Sequence, residues 1–211
     1  YIPCGSTNDF GTSLNLPKEI QAAAQNIVTG EPKPIDIGRF GDRYFSYVAS
    51  FGAFTKASYS APQKVKNVLG HFAYILEGIK DLSSIKPWHV RVEVAGRVYE
   101  DDYILGALTN SLHVAGIITL NANLVSMNDG KFEIMLIRFP QTPVQLNQII
   151  QALLSQNYKC PMMTFISADS AVIEADPTMA WTLDGERAEG AARVEAVNLP
   201  GAVEIILPKE K

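Results

Sequence analysis

The stretch that decides the fold is MMTFISADSAVIEADPTMAWTLDGERAEGAARVEAVNLPGAVEIIL, residues 162–207. It consists of short apolar runs separated by turn residues such as Asp176-Pro177 and Asp184-Gly185. Closely spaced runs of this kind are typical of successive strands joined by tight turns. We predict strands at 162–167, 171–175, 179–183, 192–198 and 203–207.

The same pattern extends toward the N-terminus. A hairpin is predicted from 35–40, a Gly41-Asp42 turn and an aromatic-rich strand at 43–51. Further strands are predicted at 89–95, 98–108, 117–120 and 132–139. About ten strands in runs, with three or four helices, indicate an α+β fold that is mainly β. We expect a β-sandwich with a few peripheral helices rather than a parallel α/β sheet.

Three helices are predicted from apolar spacing and terminal signals. The first covers 17–27, with Pro17 in its first turn and Gly30 closing it. The second covers 64–82, where apolar residues recur at helical spacing. The third begins at Thr142 as N-cap, has Pro143 in its first position, and continues to about residue 155.

Composition excludes several classes of protein. The 211 residues are 47% hydrophobic and 19% charged, which is enough to bury a full core and is unlike a disordered chain. The net charge of −4 argues against a nucleic-acid binder with a broad basic face. No apolar run reaches the roughly 18–20 residues of a membrane span. Cys4 and Cys160 have no metal-binding spacing and predict no disulfide.

Three polar stretches are candidates for chemistry, and each has a simpler explanation. Asp184 and Glu186 flank a glycine after a strand, which predicts two carboxylates on one face; the simpler explanation is the common Asp-Gly hairpin turn. Asp129 lies in a polar turn and suits a hard cation, or only the turn itself. The 5–10 loop, GSTNDF, offers a phosphate site at a helix start, or an ordinary capped turn.

Five segments, taken together, resemble the diacylglycerol kinase catalytic-domain family, which includes bacterial soluble lipid kinases and is related to the sphingosine kinases. The segments are IPCGSTNDF (2–10), DIGR with RYF (36–39 and 43–45), KNVLGHFAY (66–74), NDGKF (128–132) and LDGE (183–186). They occur in the family's order and cover nearly the whole chain.

The resemblance implies an ATP-dependent kinase that phosphorylates the hydroxyl of a lipid such as diacylglycerol. Its base corresponds to Glu186, with Asp184 orienting the site or helping to hold catalytic Mg²⁺. Gly5, Ser6 and Thr7 would lie on the nucleotide side of the cleft.

The resemblance also implies a structural Mg²⁺. The carboxylate of Asp129 and the backbone carbonyls of about Ser126 and Lys131 would bind it. Asp9 and Lys66 match family positions in a network that connects this metal to the active centre.

The family's upstream GGDGT loop is not in this sequence. We therefore expect 1–30 to be a remnant or hinge of the nucleotide-binding region, with the GSTNDF loop. Residues 31–211 would form the β-sandwich C-terminal domain of a lipid kinase, with the N-terminal nucleotide-binding α/β domain missing. Such a fragment is expected to be inactive alone.

Two alternatives stay open. One is a non-catalytic lipid-binding or regulatory β-domain with the same fold, and the other is a member of the polyphosphate- or ATP-dependent NAD kinases. For the lipid kinase, the expected partners are ATP, a membrane lipid alcohol and, transiently, the membrane surface, without nucleic acid. A cytoplasmic, peripheral location and a homodimer are also expected. These motifs do not identify the lipid.

Overall fold

The structure is a computed structural model that describes residues 1–4, 8–52, 86–111, 113–114, 118–119 and 126–209. Its helices in these ranges are α1 (Asp9–Ser13), α2 (Ile20–Thr29) and α3 (Pro143–Ser155). Its strands there are β1 (Glu31–Phe40), β2 (Arg43–Phe45), β3 (Val48–Gly52), β4 (Trp88–Val94), β5 (Arg97–Thr109), β6 (His113–Val114), β7 (Ile118–Thr119), β8 (Phe132–Arg138), β9 (Met163–Ala168), β10 (Ser170–Ala175), β11 (Trp181–Leu183), β12 (Glu186–Ala188) and β13 (Arg193–Leu207). The helix predicted over 64–82 lies outside the described residues.

The long strand β5 organises the sheet. Its first half pairs with β4, and its second half pairs with β3 on one edge and β8 on the other. From β5 the sheet continues through β3, β11 and β12 in one direction, through β4, β10, β13, β1 and β2 in another, and through β8 to β9. All these pairings are antiparallel, and the curled sheet encloses a core. The predicted mainly-β sandwich is confirmed.

An aromatic cluster lies at the centre of the enclosed core. The Trp181 side chain is 2% exposed, and its ring centroid lies 4.4 Å from that of Phe40 and 5.0 Å from that of Phe51. These residues come from β11, β1 and β3, so one side chain joins three strands. Burying a side chain of this size contributes about 2–3 kcal/mol in area terms.

Helix α3 covers a second apolar layer. Its buried residues Leu146, Ile149 and Leu153 pack with Ile104 of β5 and Met135 of β8. The side chain of Thr142 accepts a hydrogen bond at the helix start, and Pro143 occupies the first turn, as predicted.

The first predicted helix begins later than expected. It starts at Ile20 rather than Pro17, because Glu19 has an extended backbone. Leu16, which is 5% exposed, packs instead into a small cluster with Leu14 and Ile35. The predicted closure is confirmed, since the Gly30 N–H donates to the carbonyl of Asn26 at 2.8 Å.

Two strand assignments were wrong, and the short strands β6 and β12 were not predicted. The segment 43–51 is not one strand: it breaks after Phe45, and β3 pairs with β5 and β11 rather than β1. Conversely, 192–198 and 203–207 are parts of the single strand β13. Its pairing with β1 shifts register between Ile35 and Ile37, so the intervening residues form an irregularity within one strand.

A glycine is required opposite Phe45. Gly38 pairs with Phe45, and a Cβ at Gly38 would overlap the buried ring. We predict that Gly38→Ala lowers the free energy of unfolding by about 1–3 kcal/mol through overpacking, measured by urea denaturation. In the double variant Gly38→Ala/Phe45→Leu the loss should be smaller than the sum of the single losses. Additive losses would contradict the steric explanation.

Candidate functional site

The hairpin of β11 and β12 presents Glu186. Leu183 pairs with Glu186, and Asp184 and Gly185 form the two-residue turn between them. Their φ angles are 49° and 90°, the left-handed backbone that Asp-Gly hairpin turns use. Glu186 is therefore the first residue of β12, and its side chain is exposed.

The carboxylate of Asp184 accepts four hydrogen bonds from three consecutive residues. Oδ2 accepts from the backbone N–H and the hydroxyl of Ser46 at 2.7 and 2.9 Å. Oδ1 accepts from the N–H groups of Tyr47 and Val48, both at 2.9 Å. Asp184 also donates its own N–H to the carbonyl of Val48 at 2.9 Å. These bonds divert the N–H groups of 46–48 from strand pairing, which explains the break between β2 and β3.

Asp184 and Glu186 have different surroundings. The alternation that places every second residue on one face applies to extended backbone, and Asp184 lies in the turn. Its carboxylate is occupied by the 46–48 corner, whereas none of the hydrogen bonds found within the described ranges involves the Glu186 side chain. Glu186 is the acid of the pair that is available to a ligand.

Asp9 is connected to the same corner. It begins the short helix α1, and its Oδ2 accepts a hydrogen bond from the Tyr47 hydroxyl at 2.7 Å. Tyr47 thus contacts Asp9 through its side chain and Asp184 through its backbone. Sequence reasoning missed Tyr47, because no local pattern marks a tyrosine that joins two distant acids.

The 126–131 turn contains the predicted metal ligands. Oδ1 of Asp129 accepts the N–H of Lys131 at 3.0 Å, and the Ser126 hydroxyl bonds to Oδ1 of Asn128 at 2.8 Å. Asp129 is exposed. Nowhere in the described ranges do three or more His, Cys, Asp or Glu residues form a cluster that could hold a metal. A cation here would rely on one carboxylate, backbone carbonyls and water.

A buried acid that sequence reasoning did not single out supports this turn. Asp36 of β1 is 0% exposed, and its oxygens accept the N–H groups of Gly130 at 2.7 Å and Gly201 at 2.8 Å. Its own N–H donates to the carbonyl of Met127 at 2.9 Å. Asp36 therefore holds the 126–131 turn against the irregular part of β13.

Buried amides connect Asp36 to Tyr47. Asn110 donates its side-chain N–H to the Asp36 carbonyl at 3.4 Å and its backbone N–H to the Tyr47 carbonyl at 3.2 Å. Its Oδ1 accepts from Asn198 at 3.1 Å. A continuous set of hydrogen bonds thus joins the 126–131 turn to the corner that Asp184 holds.

Glu133 is a second buried acid that the sequence did not identify. Burial raises its pKa to about 7, opposed in part by a hydrogen bond from the Ser167 hydroxyl. That hydroxyl donates to Oε1 at 3.2 Å, while Oε2 has no hydrogen-bond partner among the residues that the structure describes. Its place on β8, next to the 126–131 turn, is set by pairing with Thr109 and Ser167.

An apolar groove of about 430 Å³ opens beside Asp184. Ile37, Leu199 and Val203 form much of its wall, and Ser46 and Asp184 lie at its polar end. The hairpin that carries Glu186 therefore borders a surface suited to hydrocarbon.

The remaining predicted site residues, Gly5, Ser6, Thr7 and Lys66, lie outside the described residues. None of the described helices has the length and apolar composition needed to cross a membrane.

We predict that Asp184→Asn destabilises the corner. The amide would turn an N–H₂ toward backbone N–H donors, and we expect the free energy of unfolding to fall by about 1–2 kcal/mol in urea denaturation. Asp42→Asn, at an exposed acid in the β1–β2 turn, is the control and should change it by less than about 0.5 kcal/mol. Equal effects would show that the four bonds add no stability.

A second prediction concerns the buried acid. In Asp36→Asn, the side-chain N–H₂ lies opposite one of the two backbone N–H donors. We predict that this lowers the free energy of unfolding by about 1–3 kcal/mol. Amide hydrogen exchange at Gly130 and Gly201 should accelerate together. Unchanged exchange at both amides would contradict the role given to Asp36.

Comparisons with known proteins identify the family of the chain. Residues 48–207 match the model described as "YegS C-terminal NAD kinase beta sandwich-like domain", and residues 1–40 match "Diacylglycerol kinase catalytic domain". The structure named "Crystal structure of a putative diacylglycerol kinase from Bacillus anthracis str. Sterne" aligns with a TM-score of 0.76 over 98% of this chain and 68% of that one. Its sequence identity is 23%, so this likeness concerns the fold.

Curated relatives are more similar in sequence. The diacylglycerol kinase of Bacillus subtilis (strain 168) is 32% identical over 211 residues, covering 100% of this chain and 69% of the relative. The diacylglycerol kinase of Staphylococcus epidermidis (strain RP62A) is 32% identical over 99% of this chain and 66% of its own length. The chain thus spans about two thirds of these relatives. It belongs to the diacylglycerol kinase family.

Proposed function

We propose that this chain supplies the lipid-facing β-sandwich of an ATP-dependent kinase, which transfers the γ-phosphoryl group to the hydroxyl of diacylglycerol or a similar lipid alcohol. The observation that carries the proposal is the exposed Glu186 carboxylate on a hairpin that Asp184 fixes with four hydrogen bonds. Phosphoryl transfer depends mainly on positioning and on a group that accepts the hydroxyl proton.

Glu186 is the proposed base. It takes the proton of the lipid hydroxyl as that oxygen bonds to the γ-phosphorus of ATP. The bond from this phosphorus to the β–γ bridging oxygen breaks, ADP leaves, and the proton is later lost to solvent. An exposed carboxylate without a competing donor in the described ranges suits this role. The rigid two-residue turn holds its backbone at a fixed place, which is the main requirement for such a group.

Asp184 is the proposed positioning residue. Its four accepted bonds leave little capacity for a cation, since each carboxylate oxygen already accepts two donors. This favours the orienting role over metal binding, the other role that the resemblance implies.

The 126–131 turn is the proposed Mg²⁺ site. Oxygen donors suit this ion, which keeps several waters and binds through one or two carboxylates. The Asp129 carboxylate and the carbonyls of Ser126 and Lys131 fit that description and would hold it. A bound Mg²⁺ would neutralise the Asp129 carboxylate and fix the conformation of the turn, in keeping with the structural role that the resemblance implies.

ATP is the proposed phosphoryl donor, and several finer assignments rest on the resemblance. Gly5, Ser6 and Thr7 are proposed on the nucleotide side, and Asp9 with Lys66 in the network behind the metal. The division into a hinge region, 1–30, and a sandwich, 31–211, is part of the same proposal, as is the need for a complete nucleotide-binding domain.

The acceptor is proposed to come from a membrane. The groove beside Asp184 offers apolar walls of Ile37, Leu199 and Val203 to the hydrocarbon next to the reacting hydroxyl. Transient contact with the membrane surface and a cytoplasmic location are parts of the same proposal. A homodimer stays a prediction.

We predict that Glu186→Gln abolishes most transfer. In the intact protein that carries these 211 residues, the rate of [³²P]phosphate transfer from ATP to diacylglycerol in mixed micelles with Mg²⁺ should fall at least about 100-fold, since loss of a general base typically costs 10²–10⁴. The KM for ATP should change little, because the glutamine keeps the shape of the side chain.

The control is Glu189→Gln, which makes the same charge change at an exposed position nearby. It should retain the parent's rate. The parent protein could instead bind lipid micelles and transfer phosphate to no lipid alcohol. That result would contradict the kinase proposal and support the lipid-binding alternative.

A further inference from the structure

Tyr47 contacts two acids that are far apart in the sequence, Asp9 and Asp184. Its hydroxyl donates to Asp9 Oδ2 at 2.7 Å, and its backbone N–H donates to Asp184 Oδ1 at 2.9 Å. Its carbonyl accepts the Asn110 N–H at 3.2 Å and the Thr109 hydroxyl at 2.9 Å. Tyr47 therefore connects α1 to the β11–β12 hairpin and fixes the distance between these two elements.

The backbone of Tyr47 is well anchored, and so is its ring. The ring packs partly buried against the apolar layer that contains Val48, Ala107 and Leu146. With main chain and ring both held, the hydroxyl has little freedom to leave its position. A fixed donor of this kind selects one orientation of the carboxylate that it contacts.

Asp9 needs such a contact because its own helix is short. The five residues of α1 are far fewer than an isolated helix requires, so its orientation depends on tertiary contacts. Two other contacts hold its C-terminal side: the Ser13 hydroxyl lies 2.6 Å from that of Ser111, and Leu14 is buried. Asp9, at the N-terminal end, is held by the Tyr47 hydroxyl.

We propose that Tyr47 is a positioning residue that fixes the orientation of Asp9 and couples α1 to the hairpin that carries Glu186. This rests on the proposed kinase function, in which Asp9 belongs to the network behind the metal. The hydroxyl acts through Asp9, and Tyr47 itself touches no reacting atom. The ring is needed for packing, whereas only the oxygen is needed for this coupling.

The test is Tyr47→Phe in the intact protein, which removes the oxygen and keeps the ring. We predict that kcat for transfer to diacylglycerol falls about tenfold with KM for ATP and lipid unchanged, because misplacing a group behind the chemistry affects the transition state more than substrate binding. Tyr99→Phe, at a partly buried tyrosine on β5 outside the site, is the matched control and should keep the parent's kcat.

A double-mutant cycle with Asp9→Asn separates this role from a general structural one. If the hydroxyl acts through Asp9, Tyr47→Phe lowers kcat little further once Asp9 is asparagine. Additive losses, or an unchanged kcat in Tyr47→Phe, would overturn the inference.

A second measurement does not depend on activity. Amide hydrogen exchange at Thr12 and Leu14 of the α1 region should accelerate about tenfold in Tyr47→Phe and stay unchanged in Tyr99→Phe, with β5 and β8 amides protected in both. An inactive parent would remove the kinase proposal, and this exchange result would still decide whether Tyr47 holds α1. Unchanged exchange at both α1 amides would refute the coupling.

Discussion

The site depends on one carboxylate that collects donors from three successive residues. Asp184 accepts the N–H groups of Ser46, Tyr47 and Val48, and the chain changes partners at these residues. Strand β2, before them, pairs with β1, whereas β3, after them, pairs with β5 and β11. Arg43 of β2 adds a bond from its guanidinium to the carbonyl of Arg187 in β12 at 3.1 Å. The two ends of the curled sheet therefore meet where Glu186 is exposed.

The core between this corner and the 126–131 turn contains buried polar side chains. Asp36 and Asn110 are both 0% exposed, and they remain tolerable because nearly every polar atom there has a partner. Apolar packing determines how much space the side chains fill, but it constrains their orientation only weakly. Hydrogen bonds fix direction as well, which a turn that presents oxygen ligands requires.

Sequence alone predicts what is local. The Asp-Gly signal predicted the turn after β11, although strand β12 was not predicted, and Thr142-Pro143 predicted the start of α3. The break after Phe45 escaped prediction because its cause is 138 residues away, at Asp184. Asp36 and Glu133 escaped for a related reason: an acid in an alternating strand looks solvent-facing until the neighbouring strands are known. The assignments of Glu186 and Asp129 came from family resemblance, and they stay predictions.

The pairing of β1 with β13 also sets the order in which the chain can fold. Asp36 and its partner Gly201 are 165 residues apart, so β1 leaves the ribosome well before β13 and pairs with it only after β13 has emerged. Until then, β1 has an unpaired edge, and the Asp36 carboxylate stays hydrated. Closing so long a loop late makes folding slow and leaves an aggregation-prone edge exposed during synthesis.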